Sequence, residues 1–390
     1  MLNEISKKFF RKFFLRRPYL EFDQSVEKIF KNSKKLKIEL EKFSINFSLY
    51  KDLLNKSSLS NKNLTNNQMI FLSKLFFSQG NIILANKIRE KLIKNLININ
   101  VKNFEFQFLK IKFLIEKNKL NKAIIEIKKK NIFLIRNFIN FYHNKNLILF
   151  LEKILKKKNI ELVNLNPIKF EKKERSFGQF ISGKKIIIVG PGFSKKKFGK
   201  KIDSFDIVVR FNQFKPISSL QQLYFGSKTH IVYFNGNMTK KININNLNKF
   251  LKNKWICSRL NFSDLSNLKN FRSIRKIFIN PLGAFGFLQD ALIDILHFNP
   301  KSIFVTNINF GLGKKLYWSS YSKANKLSNR QMYLSQSKLD LLSSINFIKV
   351  LRKNNVIKTD KELAKILELN SKELLLRFKK NNPLDEVVRD

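Results

Sequence analysis

The sequence predicts an α/β protein, a largely parallel sheet preceded by an all-helical region. Two observations carry this. From about residue 183 onward, short β-branched runs alternate with helical stretches, the pattern of strands joined by helical crossovers. Up to about residue 164, proline is almost absent and apolar residues recur at three- and four-residue intervals, the helical period. The polar segment 165–182, with Pro167 and Gly178, reads as a linker, and 359–390 as a C-terminal helix packed on the sheet.

In the helical region, Phe71-Leu72 through Gly80 to Ala85 parallels Phe108-Leu109 through Asn118 to Ala123. The offset is 37 to 38 residues, near the tetratricopeptide period of about 34. Each copy fits a helical hairpin with a tight turn at Gly80 or Asn118. Two readings stand: TPR-like hairpins that bind a partner, or an all-helical cap on the sheet domain.

The expected strands are Lys185–Val189, Asp206–Phe211, Thr229–Phe234, Trp255–Leu260, Lys276–Ile279 and Ser302–Thr306. Ile186, Ile187, Ile188 and Val189 form an unbroken apolar run, expected of a strand covered on both faces. Phe285–His297 has helical spacing, and Asn299-Pro300 stops it. Thr359-Asp360-Lys361-Glu362 is a capping-type helix start. Polar residues follow strand after strand: Gly190, Asn212, Asn235, Asn280 and Asn307. Ligands of open α/β sheets bind outside the carboxyl ends of the strands, so this edge is the expected site.

The 390 residues include 77 Lys and Arg against 28 Asp and Glu, a formal charge of +49. The excess has two readings. Lys, Asn, Ile and Phe have A/T-rich codons, and genome bias would spread lysine over every solvated face; alternatively the charge attracts acidic glycan or lipid. One cysteine, Cys257, excludes an internal disulfide and fits a reducing compartment. No apolar run reaches the roughly 18 residues of a spanning helix, and the start lacks a signal-peptide pattern. The expected location is therefore cytoplasmic, with peripheral contact at the inner membrane. Phe9, Phe10, Phe13, Phe14 and Leu15 alternate with Lys and Arg. That suits either an amphipathic helix on an anionic membrane or a segment docked on the protein's own core.

Residues 184–216 carry the most specific signal. A strand ends in Gly190-Pro191-Gly192, where glycine permits close backbone approach to a ligand. Ser194 then offers a hydroxyl beside backbone N–H groups, a cradle for phosphate. Ile202-Asp203 and Asp206 precede a second strand that delivers Arg210 and Asn212. Together with Gly199 and Val208, this stretch resembles the large sialylmotif of the family 29 glycosyltransferases, the sialyltransferases, in their bacterial branch. Residues 280–310 resemble the small sialylmotif, with Pro281-Leu282-Gly283 at its turn but without the family's Ser and Thr. In 340–360, Asp340, Lys349, Leu351 and Ile357 match a third motif, with Leu339 or Lys338 where the family has its base histidine.

The resemblance implies a Rossmann-like sheet, a GT-A-like variant, and an inverting transfer from a CMP-sugar donor to a glycan hydroxyl. Bacterial surface polysaccharide or lipopolysaccharide synthesis is the expected setting. It implies no cofactor and no metal; the chain has no Asp-x-Asp in the donor region and no His/Cys cluster of ligand spacing. Gly190, Pro191, Ser194, Asn212, Pro281, Leu282 and Gly283 are the expected nucleotide-binding residues. Asp203, Asp206 and Arg210 are expected to stabilise the motif, Arg210 by pairing with a carboxylate. Of the three histidines, His230 is the candidate to replace the missing base; His143 lies in the helical region and His297 on an apolar helix face. A member that binds donor without transferring it is the alternative. Third comes a basic, helical-repeat nucleic-acid binder, although nucleic acid is not an expected partner.

Overall fold

The computed structural model describes residues 33–56, 63–98, 104–129, 150–155, 172–193, 196–235, 250–258, 269–274, 281–283, 286–313 and 328–384. The amino-terminal basic segment, the expected strand at 276–279, Ser194 and His143 lie outside them.

Among the described residues, the helices that come first are α1 (Ser33–Lys42), α2 (Phe47–Lys56), α3 (Asn66–Ser78), α4 (Ile82–Asn98), α5 (Phe104–Glu116) and α6 (Leu120–Lys129). Thr65 caps α3 in a reciprocal capping box with Gln68. The α3–α4 and α5–α6 pairs are the two expected hairpins. Their turns place Gly80 at φ 85° and Asn118 at φ 56°, the left-handed region that glycine and asparagine tolerate best.

Then follow α7 (Lys172–Ile181), β1 (Lys185–Val189), α8 (Gly199–Asp203), β2 (Ile207–Phe211), α9 (Ser219–Phe225), β3 (Ile231–Phe234), β4 (Trp255–Ser258), β5 (Phe271–Ser273), α10 (Phe287–Leu296) and β6 (Ser302–Thr306). The chain continues with α11 (Asn329–Leu339), α12 (Leu341–Lys353), β7 (Lys358–Thr359), α13 (Lys361–Glu368) and α14 (Ser371–Asn381). Helix α7 corrects the linker reading: within 165–182, Phe177 and Ile181 are fully buried one helical turn apart. The expected single C-terminal helix is two helices. Leu369 is extended at their junction, and Asn370 begins the second with its own capping box to Glu373.

The seven strands of the described residues all pair in parallel, in the order β5-β4-β3-β2-β1-β6-β7. β1 is central, with Ile187 opposite Val208 of β2 and Phe304 of β6. Strand residues alternate between two apolar layers. Ile186, Ile188, Val209 and Val305 join a large core shared with α5, α6, α10, α12, α13 and α14. Ile187, Val189 and Val208 face a smaller cluster closed by Ile202 and Phe225. The amino-terminal helices do not stand apart from the sheet domain: Phe77 of the first hairpin packs on Tyr333 of α11 and Phe378 of α14. Among the described residues, no helix is long and apolar enough to cross a membrane.

Two buried ion networks cross this architecture. Arg272 on β5 donates to Asp294 of α10 (2.5 Å) and Glu174 of α7 (2.8 Å), and Tyr233 on β3 donates to the same Asp294 oxygen (2.6 Å). Arg89 on α4 donates to Glu116 of α5, to Asp340 at the α11–α12 junction and to Ser343 of α12. Asp340 sits at φ 52° and starts α12 by accepting the Ser343 N–H.

Removing one partner of a buried ion pair leaves an uncompensated charge, a loss of about 3–5 kcal/mol. Arg272→Met is therefore expected to lower the unfolding free energy in urea by that amount. Lys112 on α5 is 1% exposed. Burial first, then the Lys74 charge, push its amine down to about 7. Between that value and the usual 10.5, the unfolded chain holds a proton that the folded chain does not, so stability rises with pH across this window. Lys112→Met is expected to be more stable than the parent at pH 7 and to lose that advantage toward pH 10.5, as read by urea unfolding along a pH series.

Candidate functional site at the carboxyl edge of the sheet

Parallel pairing brings every strand's carboxyl end to one edge. There, Gly190 follows β1, Asn212 follows β2, Asn235 follows β3, Asn307 follows β6 and Asp360 follows β7. The strand order reverses between β1 and β6, and such reversals open the ligand crevice of α/β sheets.

The β1 turn is fastened to the end of β6. Gly190 donates its N–H to the Thr306 carbonyl and Gly192 to the Asn307 carbonyl, each at 2.9 Å. A Cβ on Gly190 would lie 2.1 Å from Ile308 Cδ1 and 2.4 Å from the Asn307 oxygen; on Gly192 it would lie 2.6 Å from that oxygen. This corrects the expectation for the turn. Its glycines admit the protein's own backbone, their N–H groups are engaged, and Pro191 has none to offer. Any phosphate donor in this loop must come from beyond Gly192.

Asn212 adopts φ 48°. Its N–H donates to the Tyr233 carbonyl (2.9 Å), and its Oδ1 accepts from the Asn235 N–H (3.0 Å), so it locks the β2 and β3 ends together. Asn307 adopts φ 57° and is 7% exposed. Its N–H donates to Asp360 (3.0 Å), but its Nδ2 is buried with no hydrogen-bond partner. A buried amide left unpaired is an exception to the usual satisfaction of buried polar groups. Asp360 also accepts from the Thr306 hydroxyl (2.7 Å) and from Leu363 N–H (2.7 Å), which starts α13. The sequence pattern placed Asn307 on the expected edge but did not single it out among the nucleotide-binding residues. The signal available was its position after β6, beside the strand-order reversal.

Arg210, Asp203 and Asp206 support the site from below. Arg210 is 4% exposed on β2. It donates to the carbonyls of Phe225 (2.6 Å) and Lys228 (3.0 Å) and to the Thr229 hydroxyl (3.0 Å). This corrects the expected carboxylate pairing. Burial pushes its guanidinium down to about 10, with the Asp203 charge opposing. Burial pushes the Asp203 carboxyl up, but N–H groups of Ser227 and Lys228 and the Ser227 hydroxyl outweigh it and hold the group below its ordinary value. Asp206 accepts the Lys185 N–H at the start of β1 (2.8 Å).

The structure does not bring His230 to this edge. The residue precedes β3, and its Nδ1 accepts the Val208 N–H (2.9 Å). Five strand steps to Asn235 span about 16 Å. Burial, then the charges of Lys228 and Lys254, lower its pKa. It is a neutral strap between β2 and β3, not a base for chemistry at the opposite edge. His297 is engaged through Nδ1 with the Ile293 carbonyl.

Leu282 is also corrected. Its side chain is 3% exposed in the core of the helical layer, lining a cavity of about 30 Å³ with Arg89 and Asp340. Pro281 is buried beside it. Gly283 abuts the α11–α12 junction, where a Cβ would lie 2.5 Å from the Lys338 oxygen and 2.8 Å from the Asp340 nitrogen. Asp340, facing Arg89 and Ser343, is an anchor.

Gly190→Ala is expected to destabilise the protein by about 1–3 kcal/mol through overpacking, measured by urea unfolding. Trimming Ile308 to Val in the same chain should rescue it only in part, because it removes the Cδ1 atom at 2.1 Å but leaves the Asn307 backbone oxygen 2.4 Å away. No protein-family model matches the chain, and no curated protein or solved structure matches it.

Proposed function

We propose that the chain is a sialyltransferase-like, inverting glycosyltransferase on a Rossmann-like, GT-A-like sheet. It moves a sialic acid or related sugar from a CMP-sugar to a glycan hydroxyl in bacterial surface polysaccharide or lipopolysaccharide synthesis, in the cytoplasm at the inner membrane. One observation carries the reading. The 184–216 segment, which holds the most specific motif, forms the strand–turn–helix–strand unit beside the strand-order reversal. The Gly283 contact with Lys338–Asp340 supports it further, since it joins the other two motif-like segments.

In this reading the donor lies across the carboxyl ends of β1, β2 and β6, contacted by Asn212 and Asn307. The acceptor oxygen bonds to the anomeric carbon, the bond to the phosphate oxygen breaks, CMP leaves, and the hydroxyl proton passes to a base. Neither His230 nor His297 is placed to take it. That favours a second reading, in which the chain binds the CMP-sugar and does not transfer it.

Incubation with CMP-sialic acid and mixed galactosides, followed by CMP release, tests the proposal. Release dependent on acceptor is expected; CMP binding without release selects the second reading, and no CMP binding overturns both. Glycine keeps the positive φ of Asn212 and Asn307 while removing the side chain. Asn212→Gly and Asn307→Gly are each expected to weaken CMP binding about tenfold, one lost hydrogen bond's worth, as measured by calorimetry.

A further inference from the structure

We infer that the surface formed by α8 and α9 docks the protein on an anionic membrane. Leu220 and Leu223 stand one turn apart on α9, 86% and 46% exposed. Leu220 is the most exposed large apolar side chain among the described residues. The same segment turns Ile217, Tyr224 and Phe225 inward against the sheet. The backbones of α8 and α9 are in close contact: a Cβ on Gly199 would lie 1.9 Å from the Gln222 oxygen and 2.8 Å from that of Leu223.

The surroundings are cationic. Residues 196–228 contain six lysines and two aspartates. Asp203 is engaged by the 227–228 backbone and Asp206 by the Lys185 N–H. Lys197, Lys200, Lys215 and Lys228 are exposed.

Charge and size choose the occupant. Two leucines fall far short of the roughly 800 Å² per partner of a stable protein interface, and lysine is depleted from such interfaces. A second copy, carrying +49, would be repelled. A sheet of anionic headgroups satisfies both features: lysines meet phosphate, and the leucines enter the acyl boundary. Asp203 of α8 accepts from the 227–228 backbone that leads into β3, so this surface adjoins the amino edge of the sheet, apart from the carboxyl-edge site. The inference holds whatever the edge binds.

The test uses the full chain and phosphatidylcholine vesicles with and without phosphatidylglycerol. Cosedimentation is expected only with phosphatidylglycerol and should weaken with salt. Leu220→Ser combined with Leu223→Ser should lower the affinity at least about tenfold. The basic, Phe-rich amino-terminal segment is a competing lipid contact, so a local readout is needed. Leu220→Cys is labelled with an environment-sensitive fluorophore; Cys257 does not compete, because it is buried and its thiol is pushed up to about 12 by burial. A blue shift is expected at 220 on adding phosphatidylglycerol vesicles. The same label at Leu376→Cys, 47% exposed on α14, should not shift. Cosedimentation with no shift at 220, undiminished binding of the double serine variant, or no binding at all would each overturn the inference.

Discussion

Parallel pairing is the constraint on which the rest of this structure depends. Parallel strands cannot be joined by tight hairpins, so the chain must return across a face of the sheet after each strand. That return covers both faces, which is why β1 is an uninterrupted apolar run and not an alternating one. It also separates the two edges by task. At the amino edge, loops enter strands and are fastened by Arg210, Asp203, Asp206 and His230. At the carboxyl edge, strands end in left-handed asparagines, Asn212 and Asn307. Asparagine is among the few residues that turn a chain this way cheaply while leaving an amide at the turn.

Three buried arginines show how surroundings decide what one residue type does. Arg272 faces Asp294 and Glu174, and although burial opposes it, these carboxylates hold its guanidinium well above its usual range. Arg210 is as deeply buried but meets carbonyl oxygens, whose partial charges do not repay the lost hydration, and its pKa falls. The first arrangement links three elements through charge; the second shapes one loop through directional donors. Arg89 resembles the first, with Glu116 and Asp340 outweighing its burial. Its Nε and Nη1 remain without hydrogen-bond partners beside the small cavity of the helical layer.

Much of this was legible in the sequence, and the physical reasons mark where legibility ended. The long β-branched runs announced β1, β2, β3 and β6, because covered strands need unbroken apolar sequence. β5 and β7 span three and two residues, too few for any period to register. Helix α7 hid behind a polar composition, since only Phe177 and Ile181 needed to be apolar. The glycine turn was visible, but not what approached it: a missing Cβ shows that something is close, not whether it is ligand or protein. His230 was visible at a strand start; that the start of a parallel strand lies at the wrong edge for chemistry follows only once direction is fixed. The unpaired Asn307 amide depends on the packing of β6 against β7, which no local pattern encodes.

The Arg89 network spans the chain: its acceptors Glu116 and Asp340 lie 27 and 251 residues away. During synthesis, the first helices leave the ribosome long before residue 340 exists. Until then Arg89 has Glu90 and Glu116 but not Asp340 of its three carboxylates, and Phe77 has neither Tyr333 nor Phe378 to cover it. The amino-terminal third therefore draws part of its packing from the last segments to be translated. A chain that stopped before residue 340 would lack the groups that close this seam, so the packing of the first third is completed only by the last.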